Sequence, residues 1–133
     1  MAKTERRRKP AAKPAKLQKL PKVIEAVVRA AEDKKAVDIT VMDLRNAHGF
    51  TDHFVICSGT NTRQIRAIAD GVIDALAALG QKPAHLEGYD RSEWVLVDYF
   101  DFVVHVFSPE SRAFYGLERL WGNAEHITVA QAT

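Results

Sequence analysis

Residues 21–123 read as an α/β domain, a mixed five-stranded sheet with flanking helices, set between a basic tail (1–20) and a short C-terminal tail (124–133). Three observations carry that reading. Ile65, Ile68, Ala69, Val72, Ile73, Leu76 and Leu79 form one stripe at helical spacing, closed by Gly80. Phe54-Val55-Ile56-Cys57 is a short, continuous apolar run, the mark of a strand covered on both faces. Trp94–Tyr99 and Phe102–Phe107 are strong strands separated by so few residues that they form a hairpin.

The remaining elements follow in chain order. The tail carries prolines and almost no apolar side chains, so it is expected to be extended or disordered. Pro21 suits the first turn of a helix over 21–34, with Val23, Ile24, Val27, Val28, Ala30 and Ala31 at helical spacing. Val37, Ile39 and Val41 alternate with Asp38 and Thr40, giving a strand to about Leu44, and residues 46–52 with Gly49 form a loop. Ser58-Gly59-Thr60-Asn61 ends the second strand and starts the long helix. A weak strand near 84–88 and a turn at Gly88-Tyr89-Asp90-Arg91 precede the hairpin. Ser108 caps a last helix with Pro109 at its first position; this helix runs to about Trp121, stops at Gly122, and carries Phe114, Leu117, Leu120 and Trp121.

Composition narrows the function classes. The chain has 133 residues, 47% hydrophobic and 27% charged, enough to bury a core without a disulfide or structural metal. A single cysteine, Cys57, excludes an internal disulfide and suits a reducing, cytoplasmic setting. No apolar run reaches the ~20 residues of a membrane span, and the basic residues 1–20 lack the apolar stretch expected of a secretory signal. The net charge of +2 hides an asymmetry: residues 1–20 hold eight of the 19 Lys and Arg against Glu5 alone, leaving eleven bases against sixteen acids in the body. A basic arm on an acidic body suits a tail that meets phosphate while the body meets something else.

The hairpin is the most informative stretch. Trp94, Leu96 and Asp98 share one face of their strand, and Val95, Val97 and Tyr99 the other. The partner strand is also apolar on both faces, with Val103 and Phe107 against Phe102, Val104 and Val106. Either both faces are core, or one meets another protein. Ser58-Gly59-Thr60 at a helix N-terminus is either a capped turn or an anion site; it is not a Walker loop. Asp52, Asp98 and Asp101 are the only candidate magnesium ligands, and no Asp-x-Asp pair sits beside that turn. His48, His53, His85, His105 and His126 are scattered without ligand spacing, so no metal or cofactor is expected. Cys57 reads as a buried small hydrophobe and His105 as a sheet histidine with a hydrogen-bond partner. No nucleophile, base and orienting acid come together, so no catalytic residue is assigned.

Several separated blocks together resemble the ribosomal silencing factor, or Iojap-like, family. They are Asp38-Ile39 to Leu44-Arg45, Phe50-Thr51-Asp52-His53-Phe54-Val55-Ile56-Cys57-Ser58-Gly59-Thr60, Ile68-Ala69-Asp70, Glu87-Gly88, Trp94 to Tyr99, Val103-Val104-His105-Val106 and Phe114 to Trp121. The resemblance covers about residues 22–123. It implies a nucleotidyltransferase-like fold without catalytic carboxylates and a non-enzymatic role. Members bind the large ribosomal subunit through ribosomal protein number fourteen, block joining of the small subunit, and repress translation when nutrients are scarce; organelle relatives accompany subunit assembly. The resemblance implies partner contacts at Trp94, Asp98, Tyr99 and Tyr115; the acidic hairpin end adds Asp101 as a contact to a basic partner, with Leu96 and Phe100 as extra candidates. The family often has Gly at the position of Phe100, so either the turn differs or Phe100 faces outward. The basic tail is expected to touch rRNA, and the apolar face leaves self-association of the free chain open. The rivals are an active nucleotidyltransferase using Gly59-Thr60, and an RNA-binding module resting on the tail.

Overall fold

The computed structural model describes residues 20–46, 51–122 and 124–129. Expectations for residues 1–19, for 47–50 and for the last four residues lie outside them. The chain runs α1 (Lys22–Asp33), β1 (Val37–Asp43), β2 (His53–Ser58), α2 (Thr62–Ala77), β3 (His85–Glu87), β4 (Trp94–Asp98), β5 (Phe102–Phe107), α3 (Pro109–Tyr115), α4 (Leu117–Leu120) and β6 (Glu125–Thr128). The sheet order is β3-β4-β5-β2-β1-β6. Only β2 and β5 pair in parallel; the other neighbours are antiparallel. No helix among the described residues is long and apolar enough to cross a membrane.

Two expectations need correction. The sheet has six strands, because β6, placed by sequence in a C-terminal tail, pairs with β1 through Ile127 opposite Val41. The last helix is two short ones, because Gly116 takes a left-handed φ of +58° and ends α3. Glycine adopts that conformation without the Cβ clash that other residues meet there.

The two faces of the sheet are covered unequally. Helices α1 and α2 pack on one face, burying Ile24, Val27, Val28, Ile65, Ile68 and Val72 against Val55, Val97, Val104 and Val106. The opposite face holds a second cluster of Met42, Leu44, Phe54, Ile56, Val103 and Phe107, sealed by Leu117 and Trp121. That seal lies over β1, β2 and β5. The β3–β4 side of the same face stays open, with Trp94, Leu96 and Asp98 only partly buried. β5 is thus core on both faces, whereas one face of β4 is left partly open.

Candidate functional site: an aromatic docking face

The open face is built by the β4–β5 register. Trp94 stands opposite Phe107, Leu96 opposite His105, and Asp98 opposite Val103, so these side chains share the face away from α1 and α2. Trp94 stacks on buried Phe107 at 4.9 Å between ring centroids, and Tyr115 lies on Trp94 at 4.6 Å. Phe114 meets Tyr115 edge-on at 5.0 Å. The four rings form one run from the core outwards, ending with Tyr115 50% and Phe114 79% exposed. Phe114 and Leu120, two of the four large apolar residues carried by the last helical segment, are both exposed. The break at Gly116 rotates the two short helices out of a common stripe.

Arg112 fixes α3 in this position. Its guanidinium donates to the Asp38 carbonyl at 2.7 Å and to Ser58 Oγ at 3.1 Å, and forks onto the Glu118 carboxylate at 2.8 and 3.3 Å. A planar fork of this kind sets direction as well as distance. Tyr115, one turn further along α3, is thereby held over Trp94.

The other end of the face is the hairpin tip. Asp98 lies four residues from Trp94, about 13 Å along the strand. Its Oδ1 accepts the Phe100 N–H at 2.8 Å. Thr51 Oγ1 donates to the Phe100 carbonyl at 2.9 Å, and the Asp52 N–H to the Asp101 carbonyl at 2.9 Å. These bonds hold Phe100 at φ +79° with its ring 80% exposed. A non-glycine residue in that region costs about 1–2 kcal/mol. Of the two alternatives for Phe100 the structure takes the second: the turn keeps a glycine-like backbone, and the ring faces outward. Asp101 is also exposed.

Tyr99 does not join the others. It is 7% exposed, on the α1–α2 side, stacked on Phe102 at 4.8 Å, and burial pushes its phenol up to about 12. Strand alternation alone sends it there, so it supports the tip from behind. The structure brings together Trp94, Leu96, Asp98 and Tyr115 on one strip, with Phe100 and Asp101 at its end. Phe114 extends this strip beyond the residues expected from sequence, and the Gly116 break is the signal that points to its exposure.

His105 underpins the strip. The Trp94 Nε1–H donates to His105 Nδ1 at 3.0 Å. An indole N–H only donates, so Nδ1 must accept and the neutral ring carries its proton on Nε2. Burial lowers the His105 pKa to about 3. The unfolded chain takes up this proton near 6.5, the folded one near 3, so stability is full above pH 6.5 and falls as pH drops towards 3. The loss from His105 is about 2 kcal/mol between pH 7 and pH 5. Burial also lowers His53, which adds to the same slope. Asp43, held at about 2 chiefly by its hydrogen bond from Arg45, loses its contribution only below its ordinary 3.8. Urea titrations at pH 7, 6 and 5 should show this decline, and His105→Gln should flatten most of it. An unchanged slope in that variant would assign the effect elsewhere.

The Gly59-Thr60 turn is filled by the protein itself. Thr60 N–H and Oγ1 both donate to Gln64 Oε1, at 2.7 and 2.9 Å, and Asn61 caps α2 by accepting the Gln64 N–H. A Cβ on Gly59 would meet the Ile65 side chain at 2.8 Å, so glycine serves close helix approach. Asp52, Asp98 and Asp101 lie at the start of β2, whereas Gly59 follows its end. That separation is about 20 Å along the strand, too far for these carboxylates to hold a metal at the turn. Cys57 is buried, and burial raises its thiol to about 12, far from a reactive thiolate.

With this geometry the chain matches, over residues 17–133, the family model described as ribosomal silencing factor during starvation. It is 39% identical over 102 residues to the Bacillus subtilis protein named Ribosomal silencing factor RsfS, covering 77% of this chain and 86% of the relative. It is 34% identical over 101 residues to the mouse protein named Mitochondrial assembly of ribosomal large subunit protein 1, covering 74% of this chain and 44% of that one. A crystal structure of a Chromobacterium violaceum protein superposes with a TM-score of 0.74 at 32% identity, over 84% of this chain and 91% of the other.

Proposed function

Since the chain belongs to the ribosomal silencing factor family, we propose that it docks on the large ribosomal subunit through ribosomal protein number fourteen and blocks joining of the small subunit. Repression of translation under nutrient limitation follows by steric exclusion, with no chemical step. The observation that carries the reading is the open aromatic strip: Trp94 and Tyr115, with Leu96 between Trp94 and the carboxylates of Asp98 and Asp101. Apolar rings beside acidic side chains suit a basic ribosomal protein better than bare RNA. Tyr99 takes a positioning role behind the tip. The mouse relative's name, which refers to the ribosomal large subunit, supports the choice of subunit.

The tail adds phosphate contacts in this reading. Its eight bases release counterions from rRNA on binding, a contribution that falls steeply with salt. The test is sucrose-gradient co-migration with isolated large subunits, followed by addition of small subunits. The full chain should co-migrate and reduce joined ribosomes. Residues 21–133 should do the same at saturation, with weaker binding at low salt and a flatter salt dependence. Absence of co-migration by the full chain would reject the reading. A folded 21–133 chain that fails at saturation would move the function to the tail.

A further inference from the structure

We infer that Phe100 is an aromatic peg that seats in an apolar socket on a basic protein surface; the inference rests on the docking role proposed above and adds the means of recognition at the tip. Three observations carry it. Phe100 holds a backbone conformation that favours glycine, at φ +79°. Hydrogen bonds from Thr51 and to Asp98, with the Asp52–Asp101 backbone bond, clamp the chain on both sides of it. The ring is nonetheless 80% exposed, so the strain is not repaid by burial within the fold. Strain held by surrounding structure, with a large apolar side chain presented to solvent, is the signature of a contact residue.

The surroundings choose the partner. Asp98 and Asp101 flank Phe100 in the turn, Asp98 partly buried and Asp101 exposed, while exposed Asp52 joins the tip through its backbone bond to Asp101 and interacts with Arg45. The two carboxylates of Asp98 and Asp101 disfavour a phosphate backbone and attract Lys and Arg. The socket therefore belongs to a protein with a basic rim, not to RNA.

The experiment compares full-length wild type, Phe100→Gly and Phe100→Leu for melting temperature and for binding to isolated large subunits. Glycine removes both the strain and the ring. Its melting temperature should equal the wild type's or exceed it by a few degrees, while binding weakens at least ~10-fold. Leucine keeps an apolar peg and should bind within about threefold of wild type. Wild-type binding that survives unchanged in Phe100→Gly would overturn the peg alone. So would a lower melting temperature for Phe100→Gly, since the ring would then support the fold. Equal loss of binding to protein-stripped large-subunit RNA would also overturn it, in favour of a base-stacking role. A wild type that binds no subunits would instead overturn the docking role itself.

Discussion

Replacing Trp94 with alanine is expected to weaken binding to the large subunit by about 30-fold or more, the equivalent of about 2 kcal/mol for a central aromatic anchor. The structure adds a cost that exposure alone would hide. Trp94 stacks on Phe107 and donates to His105 Nδ1, so alanine opens a hollow over Phe107 and leaves that nitrogen without its donor. Together these should lower stability by about 2–3 kcal/mol. A domain with the usual 5–15 kcal/mol stays folded after such a loss. Trp94→Phe separates the two effects: it keeps a ring on Phe107 and Tyr115 but removes the indole N–H. It should retain most of the binding while losing about 1 kcal/mol of stability. Circular dichroism melts and subunit co-sedimentation read both quantities. A folded Trp94→Ala chain with undiminished binding would remove Trp94 from the docking face.

Much of this architecture is legible in the sequence, for a physical reason. Helical periodicity in α1 and α2, alternation in β1 and β4, and continuous apolar runs in β2 and β5 each mark their element within a residue or two. Periodicity does not report what covers an apolar side. The segment carrying Phe114 and Leu120 reads as one helix to about Trp121, yet Gly116 breaks it and both side chains are exposed. The sixth strand escapes because Glu125-His126-Ile127-Thr128 buries a single side chain at a sheet edge. Even so, Ile127 and Val129 alternate, a faint signal that was present. Tyr99 illustrates the opposite case. Alternation with Trp94 places it on the far face, and its assignment to the docking surface came from family resemblance against that alternation. Phe100 is recognisable as an anomaly from its turn position, but only the φ of +79° and the outward ring show how the anomaly is accommodated.

In the proposed docking Asp98 has two separable tasks, and substitutions can divide them. Its Oδ1 accepts the Phe100 N–H and so holds the tip, while its charge faces whatever meets the open strip. Asp98→Asn keeps an amide oxygen for the N–H and removes only the charge. It should melt close to wild type, bind about 5–10-fold more weakly, and show a flatter decline of binding with salt. Asp98→Lys removes the acceptor and reverses the charge. The lost turn bond costs stability by about 1 kcal/mol, which a folded domain tolerates. Like-charge juxtaposition against a basic partner can cost several kcal/mol, so binding should fall at least ~100-fold. The ordering of the two variants decides between the tasks. If charge is what the partner reads, lysine is far worse than asparagine and wild-type binding weakens as salt rises. If Asp98 only shapes the turn, asparagine binds like wild type, salt has no effect, and lysine loses binding only to the extent that its melting temperature falls. Co-sedimentation across a salt series, with melts of each variant, distinguishes these outcomes, and the second would remove the electrostatic half of the docking face.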